Sequence, residues 1–352
     1  MQQENKQVVF VSRPGETGKP SESNFAVESC PYPELTRDRQ IIIRTIYVAI
    51  DAALRYRMNE CTKEYYLSTW KINNVVPGFA GVGLVIESQF PKFHKGDYVY
   101  RFVEWPWKIF FAGVAESLHK IVIEDFLNDL TAPVNYLGVS GLSAFLGLRE
   151  KGHIKRGSGQ TCVVSAAAGA CGSLAGQIAR LEGCERVVGI CGNDVKCNYL
   201  TETLKFDAAI NYRTQNVEER LKQTCPKGIQ VYFDNVGGAI SDEVIKQMTP
   251  NANIVLNGQI AMYNTDTPHP TPLSPEIQTI VDTKNIKRDG FIVIEHENKF
   301  EAAMLQIRTW VKDGKLIPKC TIAEGIESAP KAFINMMSGG NIGKQLVRFS
   351  SP

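Results

Sequence analysis

Ala167, Gly169 and Gly172 stand at the spacing with which a backbone loop grips a diphosphate. The apolar run Cys162-Val163-Val164 before them is predicted to be a buried strand. After them Leu174, Ile178 and Leu181 recur at helical spacing, with Gly183 placed to end the helix. Strand, tight turn and helix in that order form the phosphate corner of a dinucleotide-binding fold. Gly169 lets the backbone approach a pyrophosphate closely, and the free N–H groups and dipole of the helix start favour its charge. The first glycine of the usual pattern is Ala167 here, so the motif draws its weight from its flanks.

A second strand is predicted over Arg186-Val187-Val188-Gly189-Ile190-Cys191. A site for NAD usually ends this strand in Asp or Glu, which binds the ribose hydroxyls. Cys191-Gly192-Asn193 has no carboxylate at that tip, and Asp194 and Lys196 follow. A missing acid beside a cation suits the 2′-phosphate of NADP, and Tyr212 is placed to lend it a hydroxyl. An ordinary solvated helix lysine is the alternative for Lys196.

The elements that position these residues change character along the chain. The first third is predicted to be β-rich, with strands over Val8–Val11, Gln40–Ile46, Gly78–Ile86 and Tyr98–Tyr100, the third rich in glycine as in a bent, barrel-like sheet. From about Leu130 helices and strands alternate, the signature of βαβ units. A helix is expected over Gly141–Gly147, and strands over Ala208–Ile210, Val231–Phe233 and Asn253–Leu256. Ligands of open parallel sheets bind beyond strand C-termini, which places Asn235 and the run Asn257, Gly258, Gln259, Ile260 to Tyr263 near a cofactor. Met262–Glu276 holds Pro268, Pro270, Pro272 and Pro275 and is expected to be an irregular lid or a plain linker. A helix over Phe300–Lys312, a strand near Lys319–Ile322, a helix over Ala329–Met337 and a last strand over Gln345–Phe349 close the chain.

Composition removes several function classes. The chain has 352 residues, enough for two domains, and 43% apolar content, enough for real cores. Lys and Arg number 39 against 37 Asp and Glu, so neither a nucleic-acid nor a membrane field is implied. The polar start Met1–Lys6 is not a signal peptide, and no apolar run is long enough to span a bilayer, so a cytoplasmic protein without membrane insertion is expected. The 9 cysteines form no C-x-x-C pair, and in this size of chain a disulfide framework is not expected. The histidines, His94, His119, His153, His269 and His296, show no metal-ligand spacing, so no metal site is expected.

Longer runs add a family. Leu54–Glu60, Trp105-Pro106-Trp107, Glu150–Ile154, Ala167–Ser173, Phe206–Tyr212, Val231–Gly238, Pro272–Pro275 and Gly339–Lys344 together resemble the medium-chain dehydrogenase/reductase superfamily, in its zinc-free prostaglandin reductase branch. The likeness covers nearly the whole chain. It implies an α/β fold, with a Rossmann dinucleotide-binding domain over 131–299 and a GroES-like, β-barrel-like substrate domain over 1–130 to which 300–352 returns. It places the active site in the cleft between the two. It implies NADPH-dependent reduction of the double bond of an α,β-unsaturated ketone such as a 15-oxoprostaglandin, so the expected partner is a small lipid enone. The zinc branch would place its catalytic cysteine near Ile50-Asp51 and a His-Glu pair near Pro77–Phe79, and neither is present.

Residue by residue, the resemblance assigns Gly169, Ala170, Cys171 and Gly172 to the pyrophosphate and Lys196 and Tyr212 to the 2′-phosphate. It assigns Asn235, Asn257, Gly258, Gln259, Ile260, Tyr263 and Asn341 to the adenosine and nicotinamide sides. For Asn341 a plain turn role is equally open. Tyr66 and Tyr263 match tyrosines that face the substrate and the nicotinamide ribose. Hydride addition to an enone drives charge onto the carbonyl oxygen, and a tyrosine O–H can meet it there without a metal. Phe102, Trp105, Trp107 and Phe291, Ile292, Val293 are expected to line an apolar channel or to be ordinary core. Glu104, Ser140 and Ala52 depart from the family pattern and leave the identity of the enone open. A quinone reductase and a non-catalytic NADPH-binding protein are the competing readings, and exposed strand edges leave a homodimer possible.

Overall fold

The computed structural model describes residues 4–61 and 67–352. The chain divides into two compact units, one formed by 1–138 with 320–352 and the other by 139–319.

The second unit is built on six strands: β1 (Thr161–Val164), β2 (Arg186–Cys191), β3 (Ala208–Asn211), β4 (Ile229–Asp234), β5 (Met248–Leu256) and β6 (Lys287–Gly290). They form one parallel sheet in the order 3-2-1-4-5-6. This is the doubly wound Rossmann order, whose reversal between β1 and β4 opens a crevice at the strand C-termini. Both faces are covered, so the inner strands are apolar at nearly every position rather than at alternate ones. Val163, Ile190, Ile210, Tyr232 and Ile254 pack with Leu221, Val244 and Ile277 of three helices. On the opposite face Phe233 and Val255 lie against the helix Val139–Gly147, where a Cβ on Gly147 would touch both side chains.

The helix Ala170–Glu182 follows β1 and buries Leu174, Ala175 and Ile178 on one face. The helix Phe300–Lys312 also belongs to this unit, with Trp310 edge-on to Phe145 at 5.6 Å between ring centres. The return to the first unit therefore begins at Cys320 rather than at 300, because the apolar face of this helix packs on the second unit. The proline-rich segment also differs at its end from the irregular stretch expected. Ile260–Met262 forms a helical turn, and Pro275 opens the helix Pro275–Thr283 with Ser274 as its cap, Oγ accepting from Ile277 N–H at 3.3 Å. Proline at the first helical position loses no hydrogen bond, so it starts this helix instead of breaking it.

In the first unit, Gln40–Ile50 is the long central strand of an open, mostly antiparallel sheet. It pairs along one side with Gly81–Ser88, and along the other with Phe110–Val114 over its first half and with Lys344–Arg348, from the end of the chain, over its last residues. Strands Lys6–Phe10 and Phe25–Ser29 form a smaller sheet beside a core of Phe10, Phe25, Trp70, Trp107 and Phe333. The strands Phe25–Ser29, Phe110–Val114 and His119–Ile121 carry no clean alternation, so hydrophobic period does not mark them in the sequence. Among the described residues no helix is long and apolar enough to cross a membrane.

Candidate cofactor and active site

The loop after β1 is shaped by two close approaches. Gly172 lies against the loop so tightly that a Cβ there would stand 2.9 Å from Ala167 Cα. Ala167 occupies the place of the motif's first glycine because room is made elsewhere: a Cβ on Gly189 of β2 would stand 2.8 Å from the Ala167 methyl. The departure in the motif is thus compensated by a glycine on the neighbouring strand. Gly169 caps the helix in extended backbone and supplies no side-chain hydrogen bond, and the first helical bond is Ser173 N–H to Gly169 O at 3.0 Å. The N–H groups of Ala170, Cys171 and Gly172 precede that bond, at the positive end of a 13-residue helix.

At the tips of β2 and β3 the side chains are cationic and phenolic. Lys196 is 9% exposed. Burial holds its ammonium below the ordinary lysine value, and the Arg213 charge pushes the same way. Tyr212 lies against Gly192, where a Cβ would stand 3.1 Å from its hydroxyl, and the Arg213 guanidinium sits 5.8 Å from the Tyr212 ring centre. The carboxylate of Asp194 accepts from Asn211 Nδ2 at 2.7 Å. Asn193 caps the short helix Asp194–Asn198, its Oδ1 accepting from Lys196 N–H at 2.8 Å. Within the same turn Cys191 Sγ lies 3.4 Å from Cys197 Sγ.

At the tip of β4 a buried carboxylate organises the backbone. Asp234 is 2% exposed. Its Oδ1 accepts from Ser165 Oγ at 3.1 Å, Tyr232 OH at 2.9 Å and the N–H groups of Val236 and Gly237 at 2.9 and 3.0 Å. Its Oδ2 accepts from Ser241 Oγ at 2.7 Å. A buried charge is tolerable when its lone pairs are filled in this way. The side chain of Asn235 links three strand ends: Nδ2 donates to Ser165 O at 2.7 Å, and Oδ1 accepts from Asn257 Nδ2 at 2.8 Å. Gln259 is spent on packing, with its side chain against Gly237 and its Oε1 accepting from Thr271 N–H at 2.7 Å. Ile260 begins the helical turn that delivers Tyr263, whose N–H donates to Ile260 O at 3.3 Å. Tyr263 is 8% exposed, and a Cβ on Gly258 would stand 3.1 Å from its hydroxyl.

The second unit thus gathers Gly169–Gly172, Lys196, Tyr212, Asn235 and Asn257–Tyr263 at the C-terminal ends of one sheet. Phe291, in the same unit, donates its N–H to Leu256 O at 3.1 Å and stacks on His296 at 5.0 Å; Ile292 and Val293 follow it. Asn341 lies in the first unit, where Nδ2 donates to Gly343 O at 2.7 Å and closes its own turn. Phe102, also there, packs edge-on to Tyr100 at 5.2 Å. Trp105 is corrected from a channel wall to core. It is 0% exposed, stands T-shaped to Phe111, and its indole N–H donates to Thr45 Oγ1 at 3.0 Å. Glu104 faces Arg57, 3.4 Å away. Asp51 is ion-paired with the buried Lys344. Tyr66 lies outside the described residues.

Two groups went unseen in the sequence. Arg213 directly follows Tyr212 and reads there as one more exposed arginine. The partners of Asp234 are scattered over three elements, and only the run Asp234–Gly238 at a strand end hinted at them.

The residues present fit an NADP dinucleotide. The helix start has no side-chain cap, Gly172 lets helix and loop meet, and a cation and a phenol stand where an NAD site would hold an acid. Comparisons with known proteins agree with this architecture. Residues 6–121 match the family model of the N-terminal domain of oxidoreductase, and 170–308 match that of zinc-binding dehydrogenase. The putative NADP-dependent oxidoreductase YfmJ of Bacillus subtilis is 38% identical over 99% of this chain and 98% of its own. The chain belongs to the medium-chain dehydrogenase/reductase family. The NADP-dependent 2-alkenal reductase of Nicotiana tabacum is 33% identical, covering 98% of each chain, and prostaglandin reductase 1 of Bos taurus is 35% identical over 94% of this chain and 95% of its own. The crystal structure of CurA from Vibrio vulnificus in complex with NADPH superposes with a TM-score of 0.88 at 29% identity, covering 99% of this chain and 100% of that one. Within the branch, the sequence runs quoted above point most towards prostaglandin reductase 2. The likeness is instead spread over bacterial, plant and animal reductases, which corrects that narrower assignment. Despite the second model's description, no three His, Cys, Asp or Glu side chains converge as a metal-binding group among the described residues.

Proposed function

We propose that the protein is an NADPH-dependent reductase of the carbon–carbon double bond in α,β-unsaturated carbonyl compounds, with lipid enones of the 15-oxoprostaglandin kind among its substrates. The observation that carries this reading is the phosphate-binding corner. An uncapped helix start stands on a loop that only Gly172 allows to close, with Lys196 at the acid-free tip of β2. The names of the relatives support the reaction class.

The cofactor, when bound, supplies the hydride. The chain's own residues bind and orient. The N–H groups of Ala170, Cys171 and Gly172 meet the pyrophosphate, and Lys196 and Tyr212 meet the 2′-phosphate. Asp234 and Asn235 hold the ends of β1, β4 and β5 in register, so that Asn257–Tyr263 stays fixed along the strand tips. The substrate's carbonyl oxygen gains negative charge as its β-carbon is reduced. Tyr263, buried beside Gly258, is assigned to the hydrogen-bond network between that oxygen and the nicotinamide ribose, its O–H donating to the carbonyl oxygen while its own oxygen accepts from a ribose hydroxyl. Tyr66 is assigned to bind or polarise the ketone.

The test follows NADPH absorbance with a 2-alkenal, a 15-oxoprostaglandin, a quinone and a saturated aldehyde, with NADH in parallel. Fast NADPH-selective turnover of the two conjugated carbonyls is expected. Turnover of the quinone alone would move the protein to quinone reduction, and tight NADPH binding without turnover would make it a binding protein.

A further inference from the structure

Cys191 and Cys197 bracket the residue to which the cofactor's 2′-phosphate is assigned. Cys191 is the last residue of β2, and Cys197 lies in the helix Asp194–Asn198, next to Lys196. Their sulfurs are 3.4 Å apart, the thiol of one directed at the other. Cys191 is buried and Cys197 is half-buried. A disulfide needs a sulfur separation of about 2.05 Å, so a small movement of the first helical turn towards the strand tip would close the bond. Asn193 Oδ1 caps the turn by accepting from Lys196 N–H, and Asp194 ties it to the tip of β3 by accepting from Asn211 Nδ2.

We propose that Cys191 and Cys197 form a reversible redox site that controls NADPH binding; the effect on the cofactor rests on the reading of Lys196 given above. A hydroperoxide is the oxidant. It converts the more exposed Cys197 thiol to a sulfenic acid and is itself reduced to the alcohol, or to water in the case of hydrogen peroxide. The Cys191 sulfur then attacks the sulfenic sulfur, forms the S–S bond, and expels the hydroxyl as water together with the Cys191 proton. The two electrons taken by the peroxide come from the two thiols. Burial pushes both thiols above the ordinary cysteine range, which lowers their thiolate fraction and makes their oxidation by peroxide slow. Bond closure draws the first turn inward and takes Lys196, joined to Cys197 through one peptide bond, off its phosphate register. The expected loss is about tenfold in NADPH affinity, that of one charge-assisted hydrogen bond. NADH, which has no 2′-phosphate, should lose less than about twofold.

The experiment treats the full-length protein with hydrogen peroxide, removes the excess, maps linked peptides by mass spectrometry, and titrates NADPH and NADH by fluorescence before and after dithiothreitol. Cys197→Ser is carried in parallel. The proposal expects a Cys191–Cys197 link, selective loss of NADPH affinity, recovery on reduction, and no loss in Cys197→Ser. It is overturned if the two cysteines stay unlinked at full oxidation of the exposed Cys61, or if linked protein binds NADPH as before. Equal loss in Cys197→Ser would assign the effect to another thiol and overturn it too. Failure of the reduced protein to bind NADPH would sink the cofactor reading on its own. It would also overturn the control of NADPH binding, and the peptide map would still decide whether the pair links.

Discussion

Lys196 carries a charge into a nearly closed position, and a buried ammonium is retained where something anionic rewards it. Lys196→Ala should raise KM for NADPH by roughly ten- to a hundredfold and leave KM for NADH within about twofold, since a charge-assisted bond is removed from one cofactor only. Steady-state kinetics with both cofactors checks this, and equal effects would return Lys196 to an ordinary structural lysine. Tyr263→Phe keeps the buried ring and deletes the hydroxyl, the atom that faces Gly258. It should lower kcat about a hundredfold, with a loss of NADPH affinity of no more than about tenfold from the ribose bond; loss of affinity without loss of kcat would argue against the donor role. The placement of both residues, though not their roles, was legible in the sequence, because each stands a short distance beyond a recognisable strand. Gln259 was legible as a position but not as a role. Its amide serves Thr271, and nothing in the local sequence reveals a partner twelve residues on. Asp234 was hidden for the same reason, since its donors come from the loop after β1, from β4 and from the following helix.

Among the elements, β1, its loop and the next helix were readable in order, because hydrophobic period and glycine placement are local signals. The compensation that permits Ala167 was not readable, because it depends on strand neighbours. Ala167 N–H donates to Ile190 O at 3.0 Å, which brings the Ala167 methyl over Gly189. Gly189→Ala should therefore cost roughly 1–3 kcal/mol by overpacking. Adding Ala167→Gly should recover part of it, the rest remaining with Leu200, which also faces Gly189. A double-mutant cycle by urea denaturation measures the coupling. Strict additivity would mean that the two methyls never meet. Trp105 teaches the converse lesson. Its aromatic character fitted a ligand channel, but Gly81 and Gly83 leave it room inside the sheet and Thr45 satisfies its N–H, so packing claims it entirely.

At the scale of the molecule, the first unit is discontinuous in sequence, and its completion by the last strands was legible from their pattern although the crossing point was not. The helix Phe300–Lys312 is amphipathic, and an apolar stripe alone does not say which unit it covers. Ending the chain at Lys319 separates the two possibilities that remain for the first unit: a sheet that stands alone, or one that needs its tail. The truncation removes Cys320–Glu324 and Lys344–Arg348, leaving Tyr47–Ile50 as an open edge. It also withdraws Phe333 from Phe25, a ring contact at 6.0 Å, and leaves Asp51 without Lys344. Loss of a buried aromatic of this kind costs about 3–5 kcal/mol by itself, a large share of ordinary domain stability. The truncated chain should expose an edge strand and aggregate, with limited proteolysis leaving a resistant fragment that starts near Val139. The parallel sheet of that fragment is complete within 139–319, so its protection follows from the same strand pairings that the tail does not touch. A truncated chain that stays monomeric and melts at the full-length temperature would show that the tail decorates the first sheet rather than completes it.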